Sequence, residues 1–278
     1  MKFTKMHGIG NDYIFINCFE EVVENAAQLS VEMSDRHFGV GSDGLVLIMP
    51  SDRADFRMRM YNADGSEAEM CGNAARCIGK YVYDNALTDK TFVSLETLAG
   101  IKHLELHLEN NWVQSVTVNM GEPILTPYLI PVDYSGDEFI NKIIKAGDSE
   151  YAVTCVSMGN PHAVIYMDTI DDLEIEKIGP LFENHRIFPN RTNTEFVQVI
   201  NRELLRMRVW ERGSGETLAC GTGACAVLVA SVLNDLSERE AVVELLGGNL
   251  KIRWDEESNN VFLTGGATKV FEGIWSTA

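Results

Sequence analysis

The 278-residue chain carries a second copy of its own motifs, and an internal duplication restricts the fold to two similar halves before any element is assigned. In NADGSEAEMCGNAARC, Asn62 precedes Cys71 by nine residues, and in ERGSGETLACGTGACA, Glu211 precedes Cys220 by nine. The offsets agree: 211 − 62 = 149 and 220 − 71 = 149. Gly10-Asn11 in GIGNDYIFI and Gly159-Asn160 in MGNPHAVIY repeat it, since 160 − 11 = 149. A further pairing sets the polar loop HFGVGSDGLVLI against IFPNRTNTEFVQV and matches Asp43 with Asn193 at an offset of 150. The junction is expected in NMGEPILTPYLIP, residues 119–131, which holds three of the seven prolines.

The spacing of apolar residues fits two α+β halves. FTKMHG, YIFIN, LVLIM, FRMRMY, FVSLE, IKHLELHLE and WVQSVTVNM read as strands in the first half. AVTCVSMG, HAVIYM, EFVQVI, LLRMRVW, AVVELL, NLKIRW and NVFLTG do so in the second. Each half has one amphipathic helix, over about residues 22–36 and 172–184, and a second that starts just after the matched cysteine. Strand-rich halves with two helices each point to α+β rather than to a doubly wound sheet.

Composition excludes several function classes. With 23 Lys and Arg against 41 Asp and Glu, the formal charge is −18, which repels nucleic acid in the absence of a basic patch. No apolar run reaches the ~20 residues that span a bilayer, and MKFTKMHGIGND lacks a signal-peptide core, so no membrane association and a cytoplasmic location are expected. Six cysteines are too sparse for a disulfide scaffold and are expected as thiols.

Two apparent motifs fail on context. Gly39-Val40-Gly41-Ser42-Asp43-Gly44 satisfies G-x-G-x-x-G, but a helix precedes it and a strand follows, the reverse of a dinucleotide site. His103 and His107 have the spacing of a zinc helix, yet KHLELHLE alternates as a strand, where four residues span ~13 Å. They read as a solvated face. Cys18 and Cys155 read as small buried apolar residues in strands, and Cys77 and Cys225 as buried helix residues.

Cys71 and Cys220 differ, because each is followed by Gly and a run of small residues that starts a helix. Unpaired N–H groups and the positive end of the helix dipole would lie beside each sulfur. Such placement lowers a thiol pKa from ~8.5 into the range ~3.5–7.5, so a thiolate near neutral pH is expected. A nucleophilic hydrolase gains nothing from a duplicated nucleophile. Inversion at a carbon needs two acid/base groups, one taking a proton from one face and one returning a proton to the other. The helix N-termini would also receive a carboxylate on which carbanion charge develops.

NADGSEAEMCGNAARC, WERGSGETLACGTGACA, MHGIGNDY and SMGNPHAV closely resemble the diaminopimelate epimerases, and the resemblance runs along essentially the whole chain. It implies cofactor-independent interconversion of LL- and meso-2,6-diaminopimelate on the route to lysine and peptidoglycan, with no metal and no pyridoxal phosphate. It also implies two pseudo-symmetric domains, each a mostly antiparallel sheet wrapped around a central helix, with a cleft between them. The domains are expected at 1–118 plus 268–278, the last strand returning to the first domain, and at 119–267. A homodimer acting on a small molecule is implied.

By position, the resemblance makes Cys71 and Cys220 the acid/base thiols, and Gly72, Asn73, Gly221 and Thr222 the carboxylate site. Asn11, Asn62, Asn160, Asn193 and Arg212 would hold the substrate and its distal end, with His162 and Glu211 around the reacting centre and its ammonium. Arg212 suits a carboxylate through bidentate geometry. From the residues alone, Asn11, Asn62 and Asn160 also fit turn formers, Glu211 and Arg212 an exposed ion pair, and His162 a structural histidine. Three positions depart from the family pattern: Gly44 where a substrate-contacting Gln is common, Ala74 where Gly is common, and Phe271 where some members place Tyr at the dimer contact. Competing readings are a proline or hydroxyproline racemase, and a thiol redox sensor or metal-binding protein in which the two cysteines pair or share an ion.

Overall fold

The computed structural model describes residues 1–276, so residues 277 and 278, the end of the expected segment 268–278, lie outside the described residues. The chain divides into two compact units: Met1–Asn119 with the stretch from Thr264 onward, and Met120–Leu263.

In the first unit, β1 (Lys2–Gly8) and β2 (Asn11–Asn17) form a hairpin whose turn uses left-handed backbone at Ile9 (φ 47) and Gly10 (φ 90). Helix α1 (Ala26–Ser34) crosses to β3 (Gly44–Met49), which runs parallel to β2 and antiparallel to β4 (Phe56–Asn62). A short β5 (Glu67–Ala68) returns on β4, and α2 (Gly72–Asp84) crosses to β6 (Phe92–Thr97), parallel to β4. β7 (Gly100–Glu109) and β8 (Trp112–Gly121) complete an antiparallel meander.

The α1 side of this sheet is sealed by Leu29 and Met33 of α1 against Ile14, Ile16, Leu45 and Leu47. Because successive strand residues point to opposite faces, Tyr13, Phe15 and Val46 face away from α1. Strands β2 and β3 are buried along almost their whole length, as parallel neighbours covered on both faces must be. Helix α2 packs closely on β7 and β8, where a Cβ on Gly79 would come within 2.8 Å of Leu106.

The second unit repeats this order. A hairpin of β9 (Lys142–Ala146) and β10 (Ser149–Ser157) leads to β11 (Pro161–Tyr166). Helix α3 (Ile175–Glu183) crosses to β12 (Asn193–Asn201), parallel to β11 and antiparallel to β13 (Leu204–Glu211). After β14 (Gly215–Thr217), α4 (Gly221–Leu233) crosses to β15 (Glu240–Leu245), parallel to β13 and paired with β16 (Gly248–Trp254). Helix α4 is apolar all round and buried from Gly223 to Ser231, touching β10, β11, β12, β15 and β16. This is the central helix expected from the sequence. The chain ends through β17 (Val261–Gly266) and β18 (Thr268–Ile274), and β18 pairs antiparallel with β1 in the first unit.

Register corrects one sequence match. Tyr13 faces Gly44 across β2 and β3, and His162 faces Asn193 across β11 and β12. The counterpart of Asn193 is therefore Gly44, since 193 − 44 = 149, and Asp43 at an offset of 150 is one residue out. The first helix of each half is also shorter than expected, starting at Ala26 after an Asn25 cap and at Ile175. Cys18 lies just beyond β2 and is half-buried, where a buried strand residue was expected, because the strand ends at Asn17. Among the described residues no helix is long and apolar enough to cross a membrane.

Candidate active site

Each matched cysteine occupies the N-cap position of its unit's buried crossover helix, Cys71 before α2 and Cys220 before α4. Both have extended backbone there (φ −138, ψ 123 and φ −126, ψ 104), and neither side chain caps its helix. Short of cap geometry, the N–H groups of Asn73 and Ala74 still act on the Cys71 sulfur, and that of Gly223 on Cys220. Gly72 and Gly221 are the first helical residues and are buried.

Around Cys71 the first unit builds a continuous polar network. The thiol donates to Asn11 Oδ1 at 3.5 Å, and Asn73 Nδ2 donates to the same oxygen at 3.0 Å. Asn11 Nδ2 donates to Asp43 Oδ2 at 2.7 Å, and Arg76 Nη2 donates to Asn73 Oδ1 at 2.8 Å. The Tyr13 hydroxyl lies 3.9 Å from the sulfur. Asn11, Cys71, Gly72 and Asn73 therefore come together. Asn62 does not share these bonds: its amide donates to Ser66 Oγ at 3.0 Å inside the turn after β4, as its NADG context allowed.

Around Cys220 the second unit is acidic. The Glu211 carboxylate accepts a hydrogen bond from the Thr217 hydroxyl, and its charge acts on the Cys220 thiol. Thr222 Oγ1 lies 3.6 Å from the sulfur. His162, fully buried, bonds through Nδ1 to Glu195 Oε1 at 2.6 Å and through Nε2 to Asn160 Oδ1 at 3.0 Å. Asn193 is also buried, donating to the Pro161 carbonyl at 3.0 Å and accepting from the Arg212 N–H at 2.9 Å. It ties the start of β11 to the end of β13. The Arg212 side chain is exposed and donates to the Asn190 carbonyl at 2.9 Å, so Glu211 and Arg212 make no ion pair with each other here.

The electrostatics reverse one expectation. Burial pushes the Cys71 thiol above its ordinary value, against the lowering effect of the Ala74 and Asn73 N–H groups, the Tyr13 hydroxyl and the Arg76 charge. Burial pushes Cys220 well above, and the Glu211 and Glu195 carboxylates add to the rise. Neither cysteine is a resting low-pKa thiolate, because desolvation of a sulfur anion outweighs a few N–H dipoles. Burial likewise raises the Glu211 carboxyl, partly offset by the Thr217 hydrogen bond.

Four participants were not read as site residues from sequence, Asp43 among them although the repeat sets it against Asn193. Tyr13 is the counterpart of His162 at the same offset, a signal the repeat contained. Asp43, Arg76 and Glu195 left no local signal beyond a charge next to or inside an apolar run. Gly44 shows why no longer residue stands there: a Cβ would come 2.1 Å from the Tyr61 carbonyl oxygen. Among the described residues no group of three or more His, Cys, Asp or Glu is arranged to hold a metal ion.

The fold is shared with a probable proline racemase from Agrobacterium radiobacter with bound carbonate, at a TM-score of 0.72 and 12% identity, covering 100% of this chain and 93% of that one. In sequence, a diaminopimelate epimerase of Acetivibrio thermocellus is 63% identical, with 98% of each chain covered. One from Agathobacter rectalis is 59% identical, again with 98% of each covered. The family described as diaminopimelate epimerase matches residues 3–126 and 154–270. The chain belongs to the diaminopimelate epimerase family.

Proposed function

We infer that the protein interconverts LL- and meso-2,6-diaminopimelate, an amino-acid epimerisation that supplies lysine biosynthesis, with Cys71 and Cys220 as its two proton carriers. The observation that carries this reading is the recurrence of a cysteine at the N-cap of the buried crossover helix in both duplicated units. Inversion at an α-carbon removes a proton from one face and delivers one to the other, which calls for two groups of one kind. Each unit contributes a thiol with helix N–H groups beside it, suited to a carboxylate whose charge grows as the α-proton leaves. One sulfur must be thiolate as substrate binds, and the other must keep its proton; direction decides which.

Asn11 and Asn160 would hold the substrate's polar groups, with Gly72, Asn73, Gly221 and Thr222 at its reacting carboxylate. Asn62, Asn193 and Arg212 would hold the distal, unreactive end. Glu211, whose charge acts on the Cys220 thiol, would receive the substrate ammonium together with His162. The closely related sequences favour this activity over proline racemisation, whose representative shares only the fold. The enzyme is further proposed to be a cytoplasmic homodimer that binds no nucleic acid. Supporting a dimer, β18 exposes Val270, Phe271 and Ile274 along an edge strand.

The deciding experiment is proton NMR of the reduced protein with LL-diaminopimelate in D₂O without added cofactor. Deuterium entering the meso product faster than recovered substrate is expected from two separate acid/base groups. Exchange of proline or hydroxyproline with none of diaminopimelate would overturn the assignment in favour of the racemase, and no exchange at all would return the cysteines to a redox or metal role.

A further inference from the structure

Glu195 has no part in the roles above, yet it is fully buried on β12 and one of its oxygens, Oε2, has no hydrogen-bond partner among the described residues. A buried charge kept so incompletely satisfied is costly, and the fold does not require it. The register shows this directly: Phe15 faces Val46 in the first unit where Val164 faces Glu195 in the second, and 195 − 46 = 149. Val46, fully buried, fills the same place with an apolar side chain.

Two contacts show what the carboxylate reaches. Its Oε1 lies 2.6 Å from His162 Nδ1. Gly223, in the first turn of α4, has no Cβ; a methyl group there would lie 2.7 Å from Glu195 Oε1 and 3.1 Å from Cys220 Sγ. Carboxylate and sulfur thus share the space left by one missing methyl. The charges that act on the sulfur are Glu195 on β12 and Glu211 on β13; His162 on β11 bonds the first and acts on the second, and Cys155 of β10 lies within the field of Glu195.

We propose that Glu195 is a positioning residue of the Cys220 half-site, locking the His162 ring and holding the proton on Cys220 so that this thiol rests as the acid. The proposal depends on Cys220 being a proton carrier. The Cys71 half-site has a valine in place of this carboxylate and a buried arginine, Arg76, bonded to Asn73, so the two sulfurs rest in opposite fields.

The test is Glu195→Gln in protein carrying [3-¹³C]cysteine, with the β-carbon shifts of Cys220 and Cys71 followed against pH without substrate and assigned through Cys220→Ser and Cys71→Ser. Removing one charge that lies within about 6 Å of a sulfur, at an effective dielectric near 20, is expected to bring Cys220 ionisation down by roughly one to two pH units. Cys71 should stay in place, and the kcat/KM profile should shift with Cys220. An unchanged Cys220 titration in folded Glu195→Gln overturns the proposal, as does equal movement of both cysteines, which would mark a general loosening. If Glu195→Gln does not fold, Glu195→Asp, which withdraws the charge by one methylene, decides: a smaller downward shift supports the role, and none overturns it. The titration is read without turnover, so its failure leaves the deuterium experiment standing, and the reverse also holds.

Discussion

Cys71 and Cys220 are chemically alike and electrostatically opposed. Each sulfur is indispensable to inversion if one must take a proton and the other give one, so Cys71→Ala and Cys220→Ala should each lower kcat by at least about 10³-fold with the circular dichroism spectrum unchanged. Full activity in either variant contradicts the assignment. The raised thiols also set a pH dependence. A sulfur that must be thiolate, and whose pKa burial has raised, is mostly protonated at pH 7, so its active fraction grows as pH rises. kcat/KM should therefore climb by close to tenfold per unit from about pH 7 to 8, and a flat profile there would show that the base is already ionised. Both cysteines and the pairing of Asn11 with Asn160 were legible from spacing. Arg76 and Glu195 were not, because a charge within an apolar run gains meaning only from the sulfur it approaches.

Crossover elements place these groups. In both units the connection between parallel strands carries the buried helix, so a cysteine at its start is delivered to the strand ends where Asn11 and Asn160 sit. The two buried helices and most strands could be read from periodicity and small-residue runs. β5, β9 and β14 could not, being two, five and three residues long with no period to detect, and β18 was expected only through the family resemblance. Gly44 belongs to this level as well. It faces Asn62 across β3 and β4, and a Cβ would strike the Tyr61 carbonyl at 2.1 Å. Gly44→Ala is expected to cost about 1–3 kcal/mol, seen as a lower urea midpoint with little change in slope. A neutral outcome would show that the strand pair shifts freely.

The proposed two-thiol chemistry calls for no bound group. Exhaustive EDTA treatment under reducing conditions, without pyridoxal phosphate, should leave turnover intact; loss restored by a metal would contradict the two-thiol chemistry. Sedimentation velocity of the purified protein should give a dimer, and a monomer at micromolar concentration would remove the role proposed for the β18 edge. Duplication, α+β class, helix-start cysteines and family likeness were all local or periodic properties, so they could be read along the chain. The sign of the thiol shifts could not. It depends on how completely each sulfur is desolvated and on which charges reach it, and Glu195 and Cys220 meet only because β12 and α4 pack together at Gly223. Burial and through-space distance are properties of the packed molecule, and here they overrode the helix-dipole rule that sequence position alone suggested.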